Sequence, residues 1–210
     1  MNTQQLREFL EQVPLLNNLE EEELDQLAQV CVEKEFDKNQ IIFYEEDRGT
    51  SLYIIVNGQV KISVLSNDGR EHILGMLNEK EFFGEISLLD GHPRSTTVIA
   101  LSKVKVITIN REEFMGLLKN NPDITYKIIL SLCKRIRWTD RHVSNLAFLS
   151  APGRVARTII ELGEQQGTVE NDQVIINHKI TRQEFANIAG TSRETLTRIV
   201  MDFQDEGLIT

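Results

Sequence analysis

Apolar residues along the chain follow one of two spacings, and the spacing changes near residues 36 and 110. Residues 1–30 repeat them every three or four positions, which predicts amphipathic helices interrupted at Pro14. From Phe36 to about Ile109 the period is two and turns are close, which predicts many short antiparallel strands. Helical spacing returns after Asn110, which fits a helix cap followed by the acidic third position Glu113. The order predicts an α+β protein whose strands form an antiparallel barrel or a jelly roll.

Two turns divide the strand-rich segment. Asn57-Gly58 separates the apolar runs Leu52–Val56 and Val60–Leu65, and this dipeptide is typical of a tight two-residue turn. Ser66–Gly69 provides the next turn, before His72–Met76. We therefore expect Leu52–Val56 and Val60–Leu65 to pair with each other as a β-hairpin.

A long helix is predicted from Asn121-Pro122-Asp123 to about Leu149. Its apolar positions alternate three and four apart, as in a coiled-coil seam, with Thr139 as the polar member: Ile129, Leu132, Ile136, Thr139, Val143 and Leu146. The simplest partner is the same helix of a second copy, which predicts a homodimer. The alternative is that the helix packs on its own barrel.

The residues after this helix predict a small separate module. Ala151-Pro152-Gly153 is expected to end the long helix and mark the boundary. Thr181 and Glu184 have the spacing of a capping box, so a helix begins there. Gly190-Thr191 is a turn, and Ser192 caps a further helix. This pattern of helix, short turn and helix predicts a helix-turn-helix.

The last helix carries side chains that suit the edges of DNA bases. Arginine pairs bidentately with guanine, and a carboxylate accepts a hydrogen bond from cytosine. Arg193, Glu194 and Arg198 provide these groups near the start of the helix. A solvated helix face with salt bridges is the alternative for such a run of charges.

Residues 82–97 interrupt the strands with a candidate anion-binding segment. A glycine permits close backbone approach, a helical turn presents N–H groups, an arginine binds phosphate and a hydroxyl adds a donor. A carboxylate there accepts from a sugar hydroxyl, so a compact ligand with one phosphate charge and a ribose would fit. The alternative is a surface arginine paired with the carboxylate. The candidate residues are Gly84, Glu85, Ile86, Ser87, Arg94 and Ser95.

Composition narrows the class of protein. The chain has 210 residues, is 40% hydrophobic and carries 23 Lys plus Arg against 32 Asp plus Glu, a formal charge of −9. Taken alone, this acidity disfavours nucleic-acid binding. Cys31, Cys133 and four scattered histidines do not have the spacing of a metal site. Without a catalytic constellation, a signal peptide or a long apolar run, we expect a cytoplasmic protein that is not an enzyme.

Three motifs in order give the whole chain a specific resemblance. Phe83-Gly84-Glu85 with Arg94-Ser95-Thr96, then Asn145–Leu149, then Lys179–Glu184 with Thr191–Thr195 resemble the nucleotide cassette, hinge and helix-turn-helix of one family. That family is the CRP/FNR family of bacterial transcription regulators, which includes the cyclic AMP receptor protein. The resemblance implies a sensor at 1–121 built as a jelly-roll barrel, or double-stranded β-helix. It also implies a dimerisation helix and hinge at 122–150 and a winged helix-turn-helix at 151–210.

The resemblance also implies the roles of particular residues. Gly84 and Glu85 would meet the ribose of cyclic AMP, and Arg94 and Ser95 would bind its cyclic phosphate. Thr139 corresponds to a threonine that contacts adenine. The next family position is commonly a serine that reaches across from the other subunit, but this chain has Asp140, which weakens the case for cyclic AMP specifically.

On the DNA side, the resemblance assigns base contacts to Arg193, Glu194 and Arg198. These imply a palindromic site with TGTGA-like half-sites. Phosphate contacts are expected from Thr181, Arg182 and Ser192 at the starts of the two helices. The family's final wing hairpin follows Gly207-Leu208-Ile209, whereas this sequence stops at Thr210. We therefore expect the wing to be missing or trimmed, and DNA affinity to be reduced.

Several alternatives stay open within and beside this family. The effector could be another nucleotide, a different small acid or none, and His72 on a predicted strand leaves a haem ligand as an alternative. An iron–sulfur sensor is not expected, because the N-terminal cysteine cluster of that branch is missing. The resemblance alone implies that a loop near Gln165–Gln173 contacts RNA polymerase. A nucleotide-binding adaptor that acts through protein contacts, without DNA, is the alternative of a different class.

Overall fold

The computed structural model describes residues 1–170, 173–176 and 180–210. They form two compact units: residues 1–64 with 74–135, and residues 65–73 with 136–210. Among the described residues, every helix is too short or too polar to cross a lipid bilayer.

The first unit is built around eight strands in two four-stranded sheets. One sheet has the order β1-β8-β3-β6 and the other β2-β7-β4-β5, and the pairs β1–β8, β3–β6, β3–β8, β2–β7 and β4–β7 are antiparallel. This confirms the predicted jelly-roll class. The strands are β1 (Val32–Phe36), β2 (Ile41–Phe43), β3 (Ser51–Asn57), β4 (Val60–Leu65), β5 (Glu71–Leu77), β6 (Phe82–Phe83), β7 (Thr97–Ala100) and β8 (Val104–Asn110).

The predicted hairpin at Asn57-Gly58 is wrong, although the strands themselves are where we expected them. β3 pairs with β6 and β8, whereas β4 lies in the opposite sheet beside β7 and β5. Gly58 has a φ of 92°, so the turn forms, but it carries the chain from one sheet to the other. Leu52–Ile55 are all buried, as in a strand that is covered on both faces. The partners of such a strand are determined by packing in the core and not by the turn that follows it.

Helices cover this β-structure and share its core. α1 (Thr3–Glu11) and α2 (Glu21–Val30) precede β1, and α3 (Glu85–Asp90) follows β6. α4 (Arg111–Asn120) begins after Asn110, whose side chain accepts from the Glu113 amide as predicted for a cap. One hydrophobic cluster joins these helices to β3 and β8, and a second fills the space between the sheets.

α5 (Pro122–Phe148) is a single helix of 27 residues, as predicted. Its first turns pack on the first unit's core, because Ile124 and Ile128 are buried and Leu132 is partly buried. Farther along, Ile136 and Val143 are each 59% exposed. Packing on its own barrel therefore accounts for the start of the helix and leaves most of the seam uncovered.

The expected break at Ala151-Pro152-Gly153 is wrong in its position. α5 ends at Phe148, and α6 (Ala151–Gln166) already includes these three residues as its first turn, capped by Ser150. Proline is tolerated there because the first N–H groups of a helix have no intrahelical acceptor.

The second unit contains the predicted helix-turn-helix. After α6 come a two-stranded sheet of β9 (Gly167–Glu170) and β10 (Gln173–Ile176), then α7 (Arg182–Ala189) and α8 (Arg193–Asp205). The capping box of Thr181 and Glu184 is confirmed, as is the Ser192 cap of α8. A small core from α6, α7 and α8 holds the two helices, with Val155, Ala186 and Leu196 fully buried.

Candidate functional site

Two glycines shape the segment between β6 and β7. Gly84 follows β6 with a φ of 85°, in the left-handed region, and α3 begins at the next residue. A Cβ on Gly84 would lie 2.6 Å from Nη1 of Arg94, and one on Gly49 would lie 2.1 Å from Oγ of Ser87. Both positions therefore need glycine, because a methyl group would occupy the space of the arginine and its partners.

Arg94 lies inside this segment rather than on the surface, with 4% of its area exposed. Its Nη1 donates to the Gly84 carbonyl at 2.6 Å and to Ser87 Oγ at 2.8 Å, and its Nη2 donates to the Ser51 carbonyl at 2.7 Å. The centre of the Phe43 ring lies 4.3 Å from the guanidinium carbon. Burial lowers the pKa of Arg94 from its ordinary value. The cation is thus fixed by backbone carbonyls and an aromatic face.

Glu85 is the negative group of the same segment, and it is 1% exposed. Its Oε1 accepts a hydrogen bond from Nη1 of Arg135 at 2.5 Å, and Nη2 of Arg135 donates to the Phe82 carbonyl at 2.7 Å. The alternative of a surface Arg94–Glu85 pair is therefore wrong, because both side chains are buried and the carboxylate bonds a different arginine.

Two buried atoms of this segment lack a hydrogen-bond partner, and one is a donor while the other is an acceptor. Nε of Arg94 is a donor without an acceptor, and Oε2 of Glu85 is an acceptor without a donor. Buried polar groups are nearly always paired, so such atoms call for an explanation. An anionic oxygen would satisfy the first and a hydroxyl the second. Among described residues the only other such side-chain atom is Oγ of Ser63.

The remaining predicted ligand residues are placed differently. Ser87 is buried and bonds Arg94, whereas Ile86 and Ser95 are exposed positions of the same segment. Thr139 and Asp140 belong to the second unit and are exposed on α5. Their expected contacts with a base stay predictions.

Arg135 is a residue of this site that the sequence reasoning missed. Its partners Glu85 and Phe82 are 50 and 53 positions away in the chain, so no local motif contains the pair. The available signal was its place one helical turn before Thr139, which puts both side chains on one side of α5.

The predicted DNA-reading residues are exposed at the start of α8. Arg193, Glu194 and Arg198 all lie on the surface of the second unit, and Glu194 and Arg198 share one face of the helix. Ser192 caps α8 by accepting from the Thr195 amide at 3.1 Å.

The residues expected to contact phosphate, and the histidine of the haem alternative, also lie in the second unit. Thr181 caps α7, with Arg182 exposed as the first residue of that helix. His72 has its Nε2 at 2.8 Å from Nε2 of His142. The ring nitrogen that would bind a haem iron is therefore already engaged with a second histidine.

A β-rich sensor with a buried arginine and carboxylate, joined to a helix-turn-helix, defines the class of ligand-gated DNA-binding regulators. Two family models agree with this class. The cyclic nucleotide-binding domain matches residues 33–121, and the Crp-like helix-turn-helix domain matches residues 153–210. The chain belongs to the CRP/FNR family of transcription regulators, as its relatives also show.

The relatives match this chain over nearly its whole length. The CRP-like cAMP-activated global transcriptional regulator of Mycobacterium tuberculosis is 30% identical, covering 96% of this chain and 90% of its own. The cAMP-activated global transcriptional regulator Vfr of Pseudomonas aeruginosa is 35% identical, covering 89% and 88%. The structure of the c-di-GMP-responsive global regulator CLP of Xanthomonas campestris aligns with a TM-score of 0.79 and 26% identity, covering 91% and 95%.

Proposed function

We propose that this protein is a homodimeric transcription regulator that binds cyclic AMP and, in that state, a palindromic TGTGA-like DNA site. It acts on DNA in the cytoplasm, contacts RNA polymerase and catalyses no reaction. The observation that carries the ligand part is the pair of unpartnered buried atoms, Nε of Arg94 and Oε2 of Glu85.

A cyclic nucleotide satisfies both atoms with one molecule. Its phosphate oxygens accept from the guanidinium of Arg94, which is a charge-assisted contact. Its ribose 2′-hydroxyl donates to Oε2 of Glu85, whose other oxygen is already held by Arg135. The two side chains stand on the same short segment, so the ligand must carry its anionic group and its hydroxyl close together. Thr139 is proposed to contact the base.

The proposed effector, cyclic AMP, has to be distinguished from other cyclic nucleotides. Two relatives are named as cAMP-activated, whereas the aligned Xanthomonas regulator is named as responsive to c-di-GMP. Asp140 at the second base-contacting position favours testing guanine as well as adenine, because a carboxylate accepts from the N–H groups of guanine. Calorimetry with cyclic AMP, cyclic GMP and c-di-GMP tests this directly. Tightest binding of cyclic AMP supports the proposal, and absence of cyclic AMP binding overturns it.

The exposed seam of α5 supports the dimer. Ile129, Ile136, Val143 and Leu146 are each exposed by 43% or more, although they repeat at heptad spacing. Covering them with the same helix of a second copy buries apolar area and encloses Thr139. Sedimentation velocity of Ile136→Glu, compared with Leu130→Glu off the seam, tests this. We expect Ile136→Glu to be a monomer and Leu130→Glu to be a dimer. If both variants are dimers, the result contradicts the proposal.

DNA binding is proposed to follow from dimerisation. Ligand binding favours one arrangement of the two subunits by population shift, and that arrangement sets the two α8 helices about 34 Å apart, one turn of DNA. Gel shift on a TGTGA palindrome, with and without cyclic AMP, tests the step. Binding that needs the nucleotide is expected. Nucleotide binding without any DNA binding would instead support the adaptor alternative.

The polymerase surface proposed at Gln165–Gln173 includes positions 171 and 172, which lie outside the described residues. Lys179 of the helix-turn-helix motif also lies outside them. These assignments rest on the family resemblance alone. Transcription from a promoter carrying the palindrome, compared between the full protein and a Thr168→Ala variant, tests the polymerase contact.

A further inference from the structure

The segment 65–73 comprises the last residue of β4, the turn that follows it and the first residues of β5, and it packs on the helix-turn-helix within the second unit. Oε2 of Glu71 accepts from Nδ2 of Asn187 on α7 at 2.8 Å, and Asn187 is buried. The ring of His72 lies beside Gly190, at the turn between α7 and α8. The segment therefore contacts the first helix of the helix-turn-helix and the turn that follows it.

A pair of histidines forms a contact between the same segment and α5. Nε2 of His72 lies 2.8 Å from Nε2 of His142, which is hydrogen-bond distance. Such a bond needs one nitrogen that carries a hydrogen and one with a free lone pair. It forms when both rings are neutral or when they share a single added proton. Once both rings are fully protonated, two N–H groups face each other and the contact is repulsive.

Neighbouring groups favour the neutral pair. Burial lowers the pKa of His72 below its ordinary 6.5, and a hydrogen bond with the Asn187 backbone opposes this only in part. Burial also lowers the pKa of His142, with His72 and Arg154 acting in the same direction and Glu161 opposing them. Both rings therefore resist protonation while the segment is in place.

An aromatic ring also contacts the pair, and the segment itself carries charged residues. Trp138 covers His142, with the ring centroids 4.7 Å apart and the planes within 13°. Segment 65–73 carries Asp68, Arg70 and Glu71. Asp68 and Arg70 pair with each other at 2.8 Å, and Glu71 holds Asn187.

We propose that His72 and His142 form a proton-operated latch, which holds segment 65–73 on the helix-turn-helix at neutral pH and releases it in acid. The direction in which pH changes the stability of the closed form follows from proton binding. The open form takes up protons at the ordinary histidine pKa, while the closed form resists them, so stability of the closed form is complete above pH 6.5 and falls below it.

Segment 65–73 belongs to the second unit, together with α7, α8 and His142. A closed latch therefore holds this segment on the helix-turn-helix of the same unit, and acid releases it. The latch consists of contacts between residues of the protein itself, so it can be tested without effector or DNA.

The first measurement uses Trp138, the only tryptophan of the chain. A protonated imidazole stacked on indole quenches its emission, so fluorescence from pH 8 to pH 5 reports the charge of His142. We expect emission to fall with a midpoint below pH 6.5. His72→Gln should move the midpoint upward, and His142→Gln should abolish the titration. His92→Gln, at an exposed position, is the matched control and should titrate like the unaltered protein.

The second measurement is amide hydrogen exchange of α7, corrected for the intrinsic pH dependence of exchange. Between pH 7.5 and pH 5.5 we expect about a tenfold loss of protection in the unaltered protein and in His92→Gln. His72→Gln should have lower protection at both pH values with little difference between them. Equal protection of α7 at the two pH values in the unaltered protein overturns the latch. The outcome needs neither nucleotide nor DNA, so it is distinct from a failure of the proposed function.

Discussion

The protein uses arginine in two contrasting settings. Arg94 of the sensor is 4% exposed, and its N–H groups already bond two carbonyls and a hydroxyl. Arg193 and Arg198 are exposed at the start of α8. Desolvation of Arg94 occurs during folding, so in the proposed complex an anionic ligand would meet a cation fixed in place. The α8 arginines would be desolvated only when the proposed DNA complex forms.

This difference explains how an acidic protein can bind two kinds of phosphate compound. The net charge of −9 gives little general attraction to DNA, so under the proposed function binding would come from particular contacts, doubled in the proposed dimer. In the sensor one buried cation would suffice, because its position is set by the fold. We expect substitutions in the reading helix to have larger total effects than those in the nucleotide segment.

Arg193→Ala tests the doubled interaction and should have the largest effect. Each bidentate pair with guanine contributes about 1–3 kcal/mol, and a dimer makes two. The loss is therefore about 4 kcal/mol at the middle of the range, and affinity for the palindrome should fall about 700-fold. Fluorescence anisotropy at fixed salt measures this, with Arg137→Ala on α5 as the control. If Arg193→Ala and Arg137→Ala bind the palindrome with equal affinity, Arg193 does not contact a base.

Arg94→Ala tests the buried cation. We expect cyclic nucleotide affinity to fall about 100-fold in calorimetry, because the variant cannot make the charge-assisted bond to phosphate. Arg94→Lys keeps the charge without the planar fork and should bind with intermediate affinity. Arg7→Ala, an arginine of the same unit outside the segment, is the control. Unchanged affinity of a folded Arg94→Ala protein would contradict the assignment of this segment.

Glu85→Gln tests the unpartnered carboxylate oxygen with a nearly isosteric change. The amide oxygen can still accept from Arg135, but the new NH2 group cannot accept from a ribose hydroxyl. Affinity for cyclic AMP should fall about tenfold, toward that of 2′-deoxy cyclic AMP for the unaltered protein. The variant should no longer discriminate between the two ligands. Discrimination that persists would assign the hydroxyl to another residue.

Arg182→Ala tests the proposed phosphate contact at the start of α7 and should have the smallest effect. Affinity should fall by a similar factor for the palindrome and for unrelated DNA, because a phosphate carries no sequence information. The slope of log affinity against log salt should decrease by about one for each phosphate that Arg182 neutralises in the unaltered protein. A weakening confined to the palindrome would indicate base reading instead.

The sequence predicted most elements because caps, turns and periods are local signals. Asn110, Thr181 and Ser192 cap their helices as expected. Pairing is different, because the partner of a strand is chosen by the whole core. The Asn57-Gly58 turn is the same local structure in a hairpin and in a crossover between sheets, so only the burial of β3 on both faces separates the two.

In the candidate site, too, local features were predictable from the sequence and contacts between distant residues were not. Gly84, Glu85 and Arg94 were identifiable because they stand within one short segment. The bond from Arg135 to Glu85 was not, because it joins residues on separate elements. Burial was also unpredictable locally: an Arg–Glu pair in a loop is usually a surface feature, and here the carbonyls of Gly84 and Ser51 make a buried arginine stable.

The uncovered seam of α5 has a consequence for how much protein a cell needs. If the active species is assembled from two chains along Ile136 and Val143, its abundance follows the square of the chain concentration when copies are scarce. Halving expression would then reduce promoter occupancy about fourfold. A modest change in synthesis or degradation would therefore act as a second control of transcription, alongside the small-molecule signal.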